Sequence, residues 1–165
     1  MAFPREGPLA AYRIASSRYP ILDGGGAFLH DARWHSKGRR IIYCASTYAA
    51  AQLEQLVHGN LSELPVNHAY VEISIPHGVS ISELAADDLP ANWIDDVEST
   101  RRLGNNWYDE MRSAVLCVPS VVTHGVEYNL LINQVHSDFL MIQFTEPRKV
   151  QYDPRFSRRG TDTFS

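Results

Sequence analysis

A chain of 165 residues, 44% hydrophobic and 21% charged, has the size and composition of one globular domain with a real core. Its net charge of −4 argues against nucleic-acid binding spread over the surface, although two or three well-placed arginines suffice for a local anion site. No run approaches the roughly 18 apolar residues of a membrane span, and MAFPREGPLA lacks the apolar stretch of a signal peptide. The expectation is therefore a cytoplasmic protein without membrane contact.

In chain order, the first strand is expected at residues 10–15 (AAYRIA). A turn-rich segment, 16–38, follows with Asp23-Gly24-Gly25-Gly26 and Ser36-Lys37-Gly38, and its Phe28, Leu29 and Trp34 argue that it is ordered. Residues 40–45 read as a buried strand. Ser46 or Thr47 then caps the clearest helix, TYAAAQLEQLVHG, with Ala49, Ala50, Leu53, Leu56 and Val57 as its apolar stripe and Gly59 as its stop. Residues 68–75 (HAYVEISI) alternate as a strand and end at Pro76. A second helix is expected over 98–112, with Leu103, Trp107 and Met111 on one face, despite the cost of about 1 kcal/mol for Gly104. Strand-like runs follow at 114–118, 126–132, 139–145 and 149–152, and the chain ends in a polar tail, PRFSRRGTDTFS. Cys44 and Cys117 lie in apolar runs and read as reduced core thiols. Early strands, a helix and late strands predict an α+β fold: one domain over 1–153 with a central mixed or antiparallel sheet flanked by helices, then a tail over 154–165.

The seven histidines, at 30, 35, 58, 68, 77, 124 and 136, show no metal-ligand spacing, so no metal is expected. Gly24-Gly25-Gly26 fits neither a dinucleotide nor a Walker loop, and with no helix expected directly after it, it reads as a turn cluster. There is no GxSxG elbow. Four polar residues nevertheless stand where a plain core would not want them. Arg33 precedes a buried strand, Tyr43 lies on it, Glu54 flanks the helical stripe, and Ser120 ends an apolar strand. Taken singly, they are equally a structural salt bridge, a core ring and a turn residue.

Their order matches a larger pattern. AYRIASSRYP (11–20), DGGGAFLHDARWHSKGRRIIYCAS (23–46), AAAQLEQLVH (49–58), LPANW (89–93), RRLGNNW (101–107), LCVPSVV (116–122) and EYNLLINQVHSDF (127–139) together resemble the RES domain, the toxin half of RES–Xre toxin–antitoxin systems. The resemblance implies a fold like that of ADP-ribosyltransferases, NAD degradation by hydrolysis or phosphorolysis, and an Xre-like helix-turn-helix antitoxin as partner. It places the family's Arg, Tyr, Glu and Ser on Arg33, Tyr43, Glu54 and Ser120, a second Arg on Arg13, and Asn129 in the run ending at Asn133, with His136 beyond. The chain departs from many relatives at His35 (Asn there), at Asn133-Gln134 (Asn-Pro there) and at Asp31-Ala32, where a glycine-rich pair is usual.

In that reading Glu54 stabilises positive charge growing on the ribose as the glycosidic bond breaks. Arg13 and Arg33 grip the pyrophosphate, Tyr43 stacks on nicotinamide, and Ser120 bonds the ribose or orients Glu54. Asn129 assists in binding. NAD is consumed as a substrate, so no retained cofactor is expected, and a homodimer within a toxin–antitoxin assembly is compatible with this picture. The alternatives are ADP-ribosyl transfer to a macromolecule and a catalytically inactive domain that binds an antitoxin.

Overall fold

The computed structural model describes residues 7–59 and 64–157. Period-two patterning decides how its strands are covered. Strand β1 (Leu9–Ser16) is mostly half-buried, and β2 (Ile41–Ala45) is buried at four of its five positions. Strand β3 (His68–Ile75) alternates half-buried and buried residues along its whole length, as the sequence predicts. Strand β5 (Val115–Pro119) is buried throughout, and β6 (Tyr128–Asn133) over its last four residues, so these two are covered on both faces. Short strands β4 (Ile81–Glu83), β7 (Gln143–Phe144) and β8 (Arg148–Lys149) complete one sheet in the order β4-β5-β6-β2-β1-β3-β7, with β8 also on β3. The pairings are antiparallel except for β4 with β5, which makes the sheet mixed. Together with three helices, α1 (Gly25–Leu29), α2 (Tyr48–His58) and α3 (Val97–Asp109), this is the expected α+β architecture.

The ladder is uneven. β1 pairs β3 from Leu9↔Ile75 to Ser16↔His68, and β2 pairs β6 from Ile41↔Asn133 to Ala45↔Asn129. Between β1 and β2 the described pairing is Tyr12↔Ala45 alone. The sheet is thus two well-laddered halves joined at a narrow seam. There the Arg13 side chain stands in for missing ladder bonds: Nη1 donates to the Tyr43 carbonyl at 2.9 Å and Nε to the Ile21 carbonyl.

Strands from both halves feed one core cluster, including Val71, Ile73, Ile42, Cys44, Cys117, Leu130 and Ile132, so the sheet curls around it. The opposite face carries two separate clusters. Trp34, Trp93, Trp107, Leu116, Val118 and Leu131 pack on one half, and Ile14, Ala45, Ala50, Ala51 and Val150 on the other. Neither cysteine is in a disulfide, both are buried, and burial raises the pKa of the Cys44 thiol to about 12.

Helix α2 starts where expected. Thr47 Oγ1 accepts from the Ala50 N–H at 3.0 Å and donates to Glu127 Oε1 at 3.2 Å. Its buried face differs from the predicted stripe, because Ala50 and Ala51 face the sheet while Leu53 is 40% and Val57 53% exposed. Two alanines let the helix lie close on the seam, which turns the next residues along that face, Glu54 and Gln55, toward the protein. Gln55 Nε2 donates to the Ile14 carbonyl.

Other differences are local. The glycine cluster does lead into a helix, the five-residue α1, because Asp23 Oδ1 accepts from the Gly25 N–H at 3.0 Å and closes a turn before it. Much of 139–145 is not strand: Ser137–Met141 is a 3₁₀ turn whose entry is fixed by His136 Nδ1 accepting from the Asp138 N–H. β8 is shorter than 149–152 predicts, and α3 ends at Asp109 rather than 112, where Met111 takes a positive φ of 50°. Of the predicted tail, Pro154–Ser157 forms a 3₁₀ turn; 158–165 lies outside the described residues. Among the described residues no helix is long and apolar enough to cross a membrane.

Candidate functional site

A cleft of about 450 Å³ opens where the seam leaves the sheet thin, walled by α2, β1, β2 and the loops carrying Arg33 and Val121. Its volume suits a small-molecule ligand. Arg13, Arg33, Tyr43, Glu54 and Asn129 line it.

Glu54 is the centre of the polar network. Its Oε1 accepts from Asn129 Nδ2 at 2.8 Å and from Ser120 Oγ at 3.2 Å, so β6 and the end of β5 both hold a carboxylate that α2 presents. Ser120 is 1% exposed and acts on Glu54 from inside the protein, not from the cleft wall. Asn129 gives its amide N–H to Glu54 while its own Oδ1 is buried without a hydrogen-bond partner among the described residues. An acceptor left in that state is destabilising, so this side chain serves the carboxylate rather than its own packing. Glu54 Oε2 lies 3.8 Å from Nδ1 of His58, whose ring also reaches the Glu54 carbonyl at 2.7 Å. A carboxylate held by one oxygen, with the other unclaimed by these two donors, is suited to stabilise a nearby positive charge.

Arg33 is held differently from a salt-bridge residue. Its Nη1 donates to the Trp93 carbonyl at 3.1 Å and Nη2 to the Ile94 carbonyl at 2.8 Å. Among the described residues it makes no ion pair with Glu54, which disposes of the structural salt bridge. A guanidinium has five N–H donors, so these contacts orient the fork without exhausting it. Burial lowers the pKa of both Arg33 and Arg13, with Asp95 opposing in the first case and Cys44 and Asp23 in the second.

Helix α3 clamps the Arg33 segment. Thr100 Oγ1 lies 3.3 Å from the Arg33 carbonyl, sharing its one hydrogen with the Val97 carbonyl at 2.9 Å, and Arg101 Nε donates to the Ala32 carbonyl at 2.8 Å. Asn105 accepts from the Ser36 N–H at 2.8 Å and donates to Ser36 Oγ at 3.0 Å. Between them Gly104 lets the helix touch the Trp34 carbonyl directly, where a Cβ would lie 1.8 Å from the oxygen. On β2, the Tyr43 hydroxyl bonds Nδ1 of buried His35 at 2.6 Å, and burial raises the tyrosine's pKa. Tyr43 therefore offers the cleft its ring and not an acid.

Sequence reasoning missed Tyr12, Gln55 and His58, which also line the cleft. For His58 the signal was present: it stands four residues after Glu54 on one helix. Gln134 proves to be a staple, accepting from the Gly24 N–H at 2.9 Å and donating to the Leu22 carbonyl at 3.1 Å.

The buried His35 and the half-buried His68 make stability depend on pH. Burial lowers the pKa of His35 and of His68 from the ordinary 6.5. Below about 6.5 the unfolded chain binds protons that the fold refuses, so stability rises with pH in that window. The contribution is complete above the unfolded value and is lost as pH falls toward the folded one. Thermal melts should accordingly show a lower Tm at about pH 5.5 than at about pH 7.5; a flat profile would contradict neutral burial.

The family model described as RES domain matches residues 10–157. The chain is 41% identical over 145 residues to the Prs ADP-ribosylating toxin of Sphingobium sp. (strain YBL2), covering 84% of this chain and 88% of that protein. It is 36% identical over 132 residues to Toxin Res of Photorhabdus laumondii subsp. laumondii, covering 78% and 83%. Among solved structures, a chain of the M. tuberculosis MbcT-MbcA toxin-antitoxin complex superposes with a TM-score of 0.68 over 87% of both chains. At 17% identity that likeness concerns the fold.

Proposed function

The chain belongs to the RES-domain family, and on that footing we propose that it is the toxin of a toxin–antitoxin pair, an enzyme that breaks the nicotinamide–ribose bond of NAD. The observation that carries the reading is Glu54, fixed through one oxygen by Asn129 and Ser120 at the wall of a cleft that also holds two arginines. As the C–N bond breaks, its electron pair moves onto the positively charged ring, which leaves as neutral nicotinamide without protonation. Positive charge grows on the ribose, and Glu54 stabilises it. Arg33, with Arg13 at the floor of the seam, takes the pyrophosphate, and the Tyr43 ring stacks on nicotinamide. Ser120 and Asn129 act on Glu54 as positioning residues. An acceptor oxygen, from water or phosphate, then bonds to C1′ and releases its proton to solvent. NAD is here a substrate, and no bound cofactor is required.

A second reading has one observation in its favour: the 41% identical relative is named an ADP-ribosylating toxin. There the acceptor is a macromolecule and the first step is unchanged. The partner is an antitoxin of the Xre-like helix-turn-helix type, which the likeness to a chain of a toxin-antitoxin complex supports in its coarser form.

Purified protein incubated with NAD labelled in the adenylate half decides among these. Nicotinamide release without phosphate indicates hydrolysis, release only with phosphate indicates phosphorolysis, and label on lysate protein indicates transfer. No release under any of the three conditions overturns the enzyme reading.

A further inference from the structure

His35 is 1% exposed and lies in the loop between α1 and β2. Its Nε2 is 2.9 Å from the Ala27 carbonyl, and its Nδ1 is 2.6 Å from the Tyr43 hydroxyl. A carbonyl oxygen only accepts, so Nε2 carries the proton, and in a neutral ring Nδ1 is then an acceptor. The Tyr43 O–H must donate to it. The Trp34 backbone also acts on this hydroxyl, opposing the upward pKa shift that burial gives Tyr43. The Tyr43 hydroxyl is thereby held by the segment that carries Arg33.

We infer that His35 is a positioning residue: as a neutral ring it turns the Tyr43 hydroxyl away from the cleft and locks β2 to the Arg33 segment, and that lock is required for turnover. A second ring proton reverses the bond. Nδ1–H then donates, the phenolic oxygen must accept, and the tyrosine hydrogen has to turn elsewhere, toward the cleft or into the loop. The surroundings pull in both directions. From the loop, the His30 carbonyl and Asp31 favour the extra proton, as does the Ala27 carbonyl from α1. Arg39 opposes it, and Arg101 of α3 adds positive charge near Asp31 and Tyr43. Burial outweighs the favourable groups.

The activity part of the inference rests on the NAD-cleaving reading; the tautomer part does not, and the experiment separates them. Long-range ¹H–¹⁵N spectra of ¹⁵N-histidine-labelled protein are recorded across pH for wild type and His35→Gln, whose amide can bridge the same two partners without titrating. One ring signal, missing in the variant, should show a neutral Nε2–H tautomer that persists below the ordinary histidine range. In parallel, wild-type kcat for nicotinamide release should fall about tenfold per pH unit below one inflection, and this limb should flatten in His35→Gln while kcat at higher pH is retained. A Nδ1–H or doubly protonated His35 at neutral pH overturns the inference. So does an acid limb that survives in His35→Gln and vanishes in His58→Ala, since the His58 ring lies 3.8 Å from Glu54. Should His35→Gln fail to fold, Tyr43→Phe assigns the signal instead: it must move the His35 Nδ1 resonance, and an unmoved resonance overturns the bond. If no NAD is cleaved at all, the proposed function fails and the spectra still judge the His35–Tyr43 bond.

Discussion

Glu54→Gln should leave the protein folded and stop its chemistry. The Gln carbonyl oxygen can still accept from Asn129 Nδ2 and Ser120 Oγ, the two bonds that hold the side chain now. The residue sits in the cleft wall with 20% of its side chain exposed, so it is not a core element whose loss would unravel the sheet. Stability should change by less than about 1 kcal/mol, or about 2–4 °C in Tm. What disappears is the negative charge facing the ribose, and removing a preorganised electrostatic group of this kind lowers turnover on the order of 10²–10³-fold. Nicotinamide release measured beside a thermal melt provides the check. Wild-type turnover in a properly folded Gln variant would show that another group carries the charge stabilisation. Expression in a host should follow the same division, with growth arrest from the wild type and growth with the variant.

Gly104→Ala is expected to have the opposite sign from the ordinary rule. Replacing Gly by Ala inside a helix normally gains about 1 kcal/mol. Here the new Cβ would lie 1.8 Å from the Trp34 oxygen and 2.8 Å from its carbonyl carbon. Neither atom is the movable end of a side chain. Either α3 lifts off, loosening the cluster around Trp107, or the 33–35 backbone shifts, carrying Arg33 and His35 with it. Overpacking of this kind costs about 1–3 kcal/mol or more, and misplacing a ligand-binding side chain by an ångström is enough to cost on the order of 10²-fold in rate. Chemical denaturation and nicotinamide release should both worsen. A neutral or stabilised Ala variant would mean that α3 does not approach the Arg33 segment this closely.

These two cases also show what could be seen before the fold was known. Glu54 was legible because its helix has a cap, a stop and a regular pattern, although the pattern pointed to the wrong face. Leucines and valines usually mark the buried side, yet here Ala50 and Ala51 are inside because only small residues let α2 settle on a seam. The alternation of β3 was readable because one of its faces is consistently better buried than the other. The run at 139–145 misled because an apolar stretch too short to show a period looks the same in a strand or a 3₁₀ turn. β4 is three residues long and carries no period at all. The clamp on Arg33 was beyond reach for another reason. Thr100, Arg101 and Asn105 act on residues 67 to 69 positions away, and no local spacing announces such a partnership. Gly104 looked like a defect of a helix and is instead the condition for its closest contact.

The narrow seam between β1 and β2 gives the molecule an unusual load path. A sheet normally transmits force between neighbouring strands through a row of rungs, whereas here one backbone rung and one guanidinium span the joint. The cleft is in effect a crack whose two sides belong to different halves of the molecule, with Tyr12 and Arg13 on one and Tyr43 and Asn129 on the other. A ligand lying across it bridges the fracture and acts as a tie between the halves. A guest that binds the folded cleft and not the unfolded chain therefore stabilises the fold by mass action, and one that spans the joint ties its two halves together.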